Sequence, residues 1–239
     1  MLPPCCDDTP SPEDRSIHDP VPEVTQYASP NLIERIAYDG HDPADDPRWA
    51  ESGAPTQAIY ARWCRHICGI ACLRMALLHR DGDAPNLFQL LAGARSFGAY
   101  TQESGEIKGL IYAPFAAYAR ESHDMPVDVH GVMELHDVLN LLDARRMVMV
   151  SVSKEIRRPD VTPERRGGHL VLAVGHEEGR IVFRNPSGHT PETRSPSLPL
   201  DRFAEFFGGR GMSLDLRRTV QQAPGLTSAS RPVASTPTT

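Results

Sequence analysis

The chain has 239 residues, 40% hydrophobic and 23% charged, with a formal net charge of −6. That suits one well-buried domain and argues against a general nucleic-acid binder, which needs clustered cations. No run approaches the roughly 20 apolar residues of a membrane span, and the start MLPPCCDDTPSPED has neither the basic nor the apolar stretch of a secretory signal. The expectation is a cytoplasmic protein with no nucleic-acid partner and no membrane insertion.

Residues 1–20 are rich in Pro, Asp and Ser, and residues 221–239 hold almost no large apolar side chain. Neither stretch can offset its ordering entropy, so both are expected to be disordered, around one domain over 21–220. Asn31 to Tyr38 reads as a short helix entered through Ser29-Pro30, and Asp39 to Thr56 as loop. From Ile67 to His79 apolar residues come nearly all round, the mark of a buried central helix. Asn86 to Arg95, with Asn86 as N-cap, and Leu110 to Ser122 are further helices. Met133 to Arg145 is amphipathic, with Leu135, Val138, Leu139 and Leu142 on one side.

The second half changes character. Met147 to Ser153 (MVMVSVS) and His169 to Gly175 (HLVLAVG) are β-favouring runs, followed by a Glu178-Gly179 turn and Arg180 to Arg184 (RIVFR). A short helix over 200–207, a Gly208-Gly209-Arg210-Gly211 turn and a strand from Met212 to Leu216 close the folded part. Helices first and an antiparallel sheet after give an α+β layout.

Five cysteines, three of them within nine residues, are too few and too clustered for a disulfide framework. Cys68 stands where the loop-like RWCRHI meets the apolar helix. Unpaired N–H groups and the helix dipole there stabilise a thiolate, and Gly69 behind it leaves room for a substrate carbonyl. As small residues of a buried helix, Cys68 and Cys72 would equally be plain core. His169 opens a strand after Gly167-Gly168, placing its ring beside a cleft. Asn185-Pro186 follows sixteen residues later, at the end of the next strand; as a bare motif it is a turn. In a hairpin His169 and Asn185 become neighbours at one end of the sheet. An Asn accepting from His Nδ1–H would leave the other nitrogen for the thiol. Cys, His and Asn in this chain order form the papain-type arrangement.

HICGIACLRMAL (66–77) together with GGHLVLAVGHEEGRIVFRNPSG (167–188) resembles the C39-like branch of papain-like cysteine peptidases. The resemblance covers roughly residues 20–218. It implies a papain-like fold in which an N-terminal helical part, carrying the nucleophile helix, packs on a C-terminal antiparallel sheet. It further implies Cys68 as nucleophile, His169 as general base and acid, and Asn185 as orienting residue. The family usually has Asp as third member. It commonly places a Gln six residues before the Cys and an Asp directly before it, where this chain has Arg62 and Ile67. VPEVTQYASP (21–30) resembles the segment with the family's Gln, which makes Gln26 the expected oxyanion donor, beside the Cys68 N–H. Gln57 is the second candidate.

The expected function is that of a thiol-dependent hydrolase or acyl transferase acting on a peptide or small acyl substrate through a thioester, without cofactor. The alternative is an inactive papain-like peptide-binding or scaffold domain. Zinc on Cys64, Cys68 and Cys72 is a third reading, but three successive helical turns spread the sulfurs over about 12 Å, too far for one ion. There is no GxxxxGK[ST] or GxGxxG for a nucleotide. Arg157-Arg158 and Arg165-Arg166 are expected to border the cleft and favour acidic or C-terminal carboxylate groups on a substrate.

Overall fold

A computed structural model describes residue 18 and residues 20–217. Apart from His18 and Pro20, the stretches expected to be disordered lie outside the described residues, as do Cys5 and Cys6. The helices are α1 (Ile33–Tyr38), α2 (Gln57–Trp63), α3 (Cys68–Asp81), α4 (Leu87–Ser96), α5 (Tyr112–His123), α6 (Leu135–Asp143), α7 (Pro191–Arg194) and α8 (Leu200–Phe206). The strands are β1 (Tyr100–Glu103), β2 (Glu106–Leu110), β3 (Val127–His130), β4 (Met147–Ser153), β5 (Gly168–Glu177), β6 (Arg180–Arg184), β7 (Ser197–Pro199) and β8 (Phe207–Leu214). β1 and β2 form a separate hairpin. The other six strands make one antiparallel sheet in the order β3-β8-β4-β5-β6-β7. The arrangement is α+β, with the helix that begins at Cys68 packed on the antiparallel sheet.

The alternation of β4 explains how the sheet is covered on both faces. Met147 and Met149 join Leu170 and Leu172 of β5 in a core with α3, α4 and α5. Val148, Val150 and Val152 join Val171, Ala173 and Phe183 in a second core closed by Val138 and Leu142 of α6 and by Phe203 and Phe206 of α8. Successive side chains point to opposite faces, so a strand buried on both sides must be apolar throughout. α3 is wrapped in apolar contacts from Gly69 to Leu77, and Asn86 and Gln89 close a reciprocal capping box on α4.

Three sequence expectations change. The 39–56 stretch contains two 3-10 turns around the fully buried Asp46, whose carboxylate accepts from Ser29 N and Oγ, Tyr60 Oη and Arg48 N. These four donors offset its loss of water and hold its pKa below the ordinary value against burial. The helical half also contributes strands: the β1–β2 hairpin, and β3 as an edge of the main sheet. The Gly208–Gly211 segment lies inside β8 rather than in a turn. There a β-carbon on Gly211 would sit 2.5 Å from Met149 O, so glycine lets β8 run against β4.

Candidate active site

α2 ends at Trp63 with Cys64 as its C-cap, and a turn through Arg65–Ile67 leads to α3, which starts at Cys68. Ile67 offers no side-chain cap, so the first N–H groups of α3 remain available. Gly69 is buried, and a β-carbon there would lie 2.5 Å from Leu110 Cδ2 and 3.2 Å from Leu170 Cδ1. Its smallness therefore seats α3 against β2 and β5; it does not open a path for a substrate, as the sequence suggested. Cys68 is half-buried, whereas Cys64 and Cys72 are fully buried. The Cys72 thiol is directed at Leu170 O (3.7 Å) and that of Cys64 at Ala61 O (3.7 Å). The three sulfurs do not share one helix, and among the described residues no group of three or more His, Cys, Asp or Glu is arranged to hold a metal ion.

Cys68 and His169 line the same cavity, about 520 Å³ in volume, with Leu110, Tyr112, Ser151 and Leu170 among its walls. Gly167 and Gly168 lead into β5 with φ of 81° and 95°, left-handed values that side-chain-bearing residues rarely adopt. They turn the chain so that His169 enters the sheet opposite Val152.

Asn185 follows β6, and its amide is well defined. Ser187 N–H donates to Asn185 Oδ1 (3.1 Å), which fixes that atom as the oxygen. His169 Nε2 lies 2.9 Å from the same oxygen. An amide oxygen only accepts, so Nε2 carries the proton and Nδ1 keeps the lone pair. The sequence reading had the nitrogens reversed. The Ser187 hydroxyl lies 3.0 Å from His169 Nε2 and 3.3 Å from Asn185 Oδ1, and accepts from Arg157 Nε (2.7 Å). His169, Asn185, Ser187 and Arg157 are all buried. Ser187 and Arg157 were not foreseen as part of this cluster; the Ser two residues after Asn185 is the only sequence signal for it.

The electrostatics oppose a preformed ion pair. Burial, with the Arg157 charge next, lowers the His169 pKa to about 3, against the raising effect of the hydrogen bond that His169 donates to Asn185 Oδ1. Burial pushes the Cys68 thiol up. The N–H groups of Leu170, Gly69 and Cys68 itself pull the other way, as does Arg157, but less strongly. The helix start thus supplies the donors expected of it, yet desolvation outweighs them. At neutral pH both groups rest uncharged.

Gln26 is buried, held by its N–H to Pro186 O (2.8 Å), one residue beyond Asn185. Its Nε2 donates to Cys64 O (2.7 Å), and Gln26 is not among the cavity walls. Gln57 is exposed and donates to Ala44 O, away from the cavity. The arginine pairs do not line it either. Arg157 is buried behind His169, and Arg158 stacks on Tyr38 at 3.5 Å and pairs with Glu34. The cations in the walls are instead Arg65, Lys108, Lys154 and Arg210.

No family model and no curated protein matches the chain. Among solved structures it is similar to a double-glycine-motif protease from an AMS/PCAT transporter in complex with the leader peptide, at 14% identity and TM-score 0.42, over 62% of this chain and 82% of that one. It is similar to the peptidase domain of Streptococcus ComA, a bifunctional ABC transporter of a quorum-sensing pathway, at 14% identity and TM-score 0.44, over 62% and 90%. A C39-like peptidase structure from Bacillus anthracis gives 14% identity and TM-score 0.46, over 64% of this chain and 90% of that one. These three solved structures are described as a protease, a peptidase domain and a C39-like peptidase.

Proposed function

We propose that the chain is a cysteine-peptidase-like hydrolase acting on a peptide or small acyl substrate through Cys68, His169 and Asn185. The observation that carries this reading is a half-buried thiol at a helix start lining one cavity with an imidazole whose tautomer is fixed by a buried amide. In the proposed reaction His169 Nδ1 takes the Cys68 proton as the sulfur attacks the carbonyl carbon. The oxyanion then collapses, the bond to the leaving group breaks, and His169 returns the proton to that group. Water, deprotonated by His169, cleaves the thioester and restores the thiol; an amine or alcohol in place of water gives acyl transfer. The Cys68 N–H is assigned to the oxyanion; Gln26, which donates to Cys64 O and lies outside the cavity walls, is not.

Because both groups rest uncharged, proton transfer and attack are coupled, and His169 stays in its base form from pH about 3 upward. The raised thiol pKa favours one other reading, a papain-like peptide-binding domain without turnover. Intact-protein mass spectrometry with activated acyl esters separates the two. A stable acyl adduct mapping to Cys68, and lost in Cys68→Ala, is the expected result. Adducts on Cys64 or Cys72, or none at any pH, overturn the hydrolase reading.

A further inference from the structure

The chain is acidic overall, yet its cavity is lined by four cationic side chains, and none of the described lining residues is an aspartate or glutamate. Lys108 and Lys154 are the only lysines in the sequence, and both are there. The four cations differ in how they are occupied. Arg65 gives its guanidinium to Ile36 O (3.3 Å) and His41 O (3.2 Å). Lys108 lies 3.3 Å from Glu103 and 3.7 Å from Glu106, both on the exposed hairpin. Lys154 and Arg210 are exposed, and neither has a carboxylate partner among the described residues. The nearest acid in sequence, Glu155, is taken by the Ser153 hydroxyl.

These two unpaired cations flank the glycines that lead into His169. Lys154 Cε comes within 3.8 Å of the point a β-carbon would occupy on Gly168, and Arg210 Nη2 within 3.7 Å of the same point on Gly167. Arg210 and Ser151 also lie near the Tyr112 hydroxyl, in the same cavity wall. A guanidinium and an ammonium converging on one rim, beside a thiol and an imidazole that both rest uncharged, select an anion.

We infer that the substrate carries a carboxylate, on an acidic side chain or at a chain terminus, and that Lys154 and Arg210 hold it at the mouth of the Cys68 cavity. This rests on the hydrolase reading for its consequence in turnover, but the charge preference is a property of the cavity and is measured separately. Iodoacetate and iodoacetamide alkylate the same sulfur and differ in charge. The ratio of their rates at Cys68, read by peptide mass spectrometry, therefore cancels any change in thiol reactivity. It is expected to exceed the ratio for free cysteine, and to fall about tenfold in Lys154→Met/Arg210→Met. Added salt should lower it in wild type, because both cations are exposed.

Protection of Cys68 by peptides then distinguishes the source of the carboxylate. Ac-Ala-Ala-Glu-Ala-NH2 protecting alone assigns a side chain; Ac-Ala-Ala-Ala-Ala-OH protecting alone assigns a terminus; protection by both assigns either. Ac-Ala-Ala-Ala-Ala-NH2 is the neutral control. An unchanged rate ratio in the double variant, or no protection beyond that control, overturns the inference. Either failure leaves acylation of Cys68, and so the hydrolase reading, untouched.

Discussion

The two faces of the main sheet use the same strands to different ends. On the α6/α8 face, Val148, Val150 and Val152 continue as an unbroken apolar row against Phe203 and Phe206. On the α3 face, Met147 and Met149 are core, but the row reaches Ser151 where the cavity begins. The contrast marks where the proposed chemistry would sit in this fold. It lies at the end of β4 and β5, where the α3 face stops packing hydrocarbon and turns to hydroxyl, imidazole and thiol. The opposite face keeps the strands in place.

The largest expected effect lies on the packing face. Phe203 is fully buried and meets Phe183 edge-on with ring centroids 5.3 Å apart. Phe203→Ala should cost about 3–5 kcal/mol of stability, measured by urea unfolding, while the folded fraction acylates Cys68 at the wild-type rate. A collapse of acylation in protein still folded would join the two faces functionally and break the contrast. On the other face, Asn185→Ala should slow Cys68 acylation about 100-fold by freeing the imidazole. A smaller loss is expected in Asn185→Asp, which retains the acceptor for His169 Nε2–H. Equal losses in the two variants would show that the amide does not act by orienting the ring.

Much of this was legible in the sequence where strong periodicity meets a sharp boundary. MVMVSVS and RIVFR have the bounds of β4 and β6, and Asn86 announces the start of α4. The β1–β2 hairpin was not legible, because YTQE and EIKGL are short and largely polar and carry little pattern. β3 has only four residues, two of them exposed, and owes its place to β8. Of the candidate site residues, Cys68 and His169 share a cavity and Asn185 joins His169, since each sits at an element's end with a local signal. The cationic rim had no such signal. Arg65, Lys108, Lys154 and Arg210 come from four separated segments, and only the folded chain gathers them. The paired arginines that stood out in sequence went elsewhere, Arg157 into the protein behind His169 and Arg158 onto Tyr38. Position in sequence likewise said nothing of desolvation, which reverses the expected shift of the Cys68 thiol.

In the proposed reaction His169 draws the proton from a thiol that does not ionise by itself at neutral pH. The rate of Cys68 acylation by a neutral activated ester, followed from pH 5 to pH 10 in wild type and His169→Ala, tests this most directly. The wild type should be faster by about 100-fold or more near pH 7. The two curves should converge at alkaline pH, where hydroxide forms the thiolate without help. Superimposable curves across the whole range would mean that the imidazole takes no part.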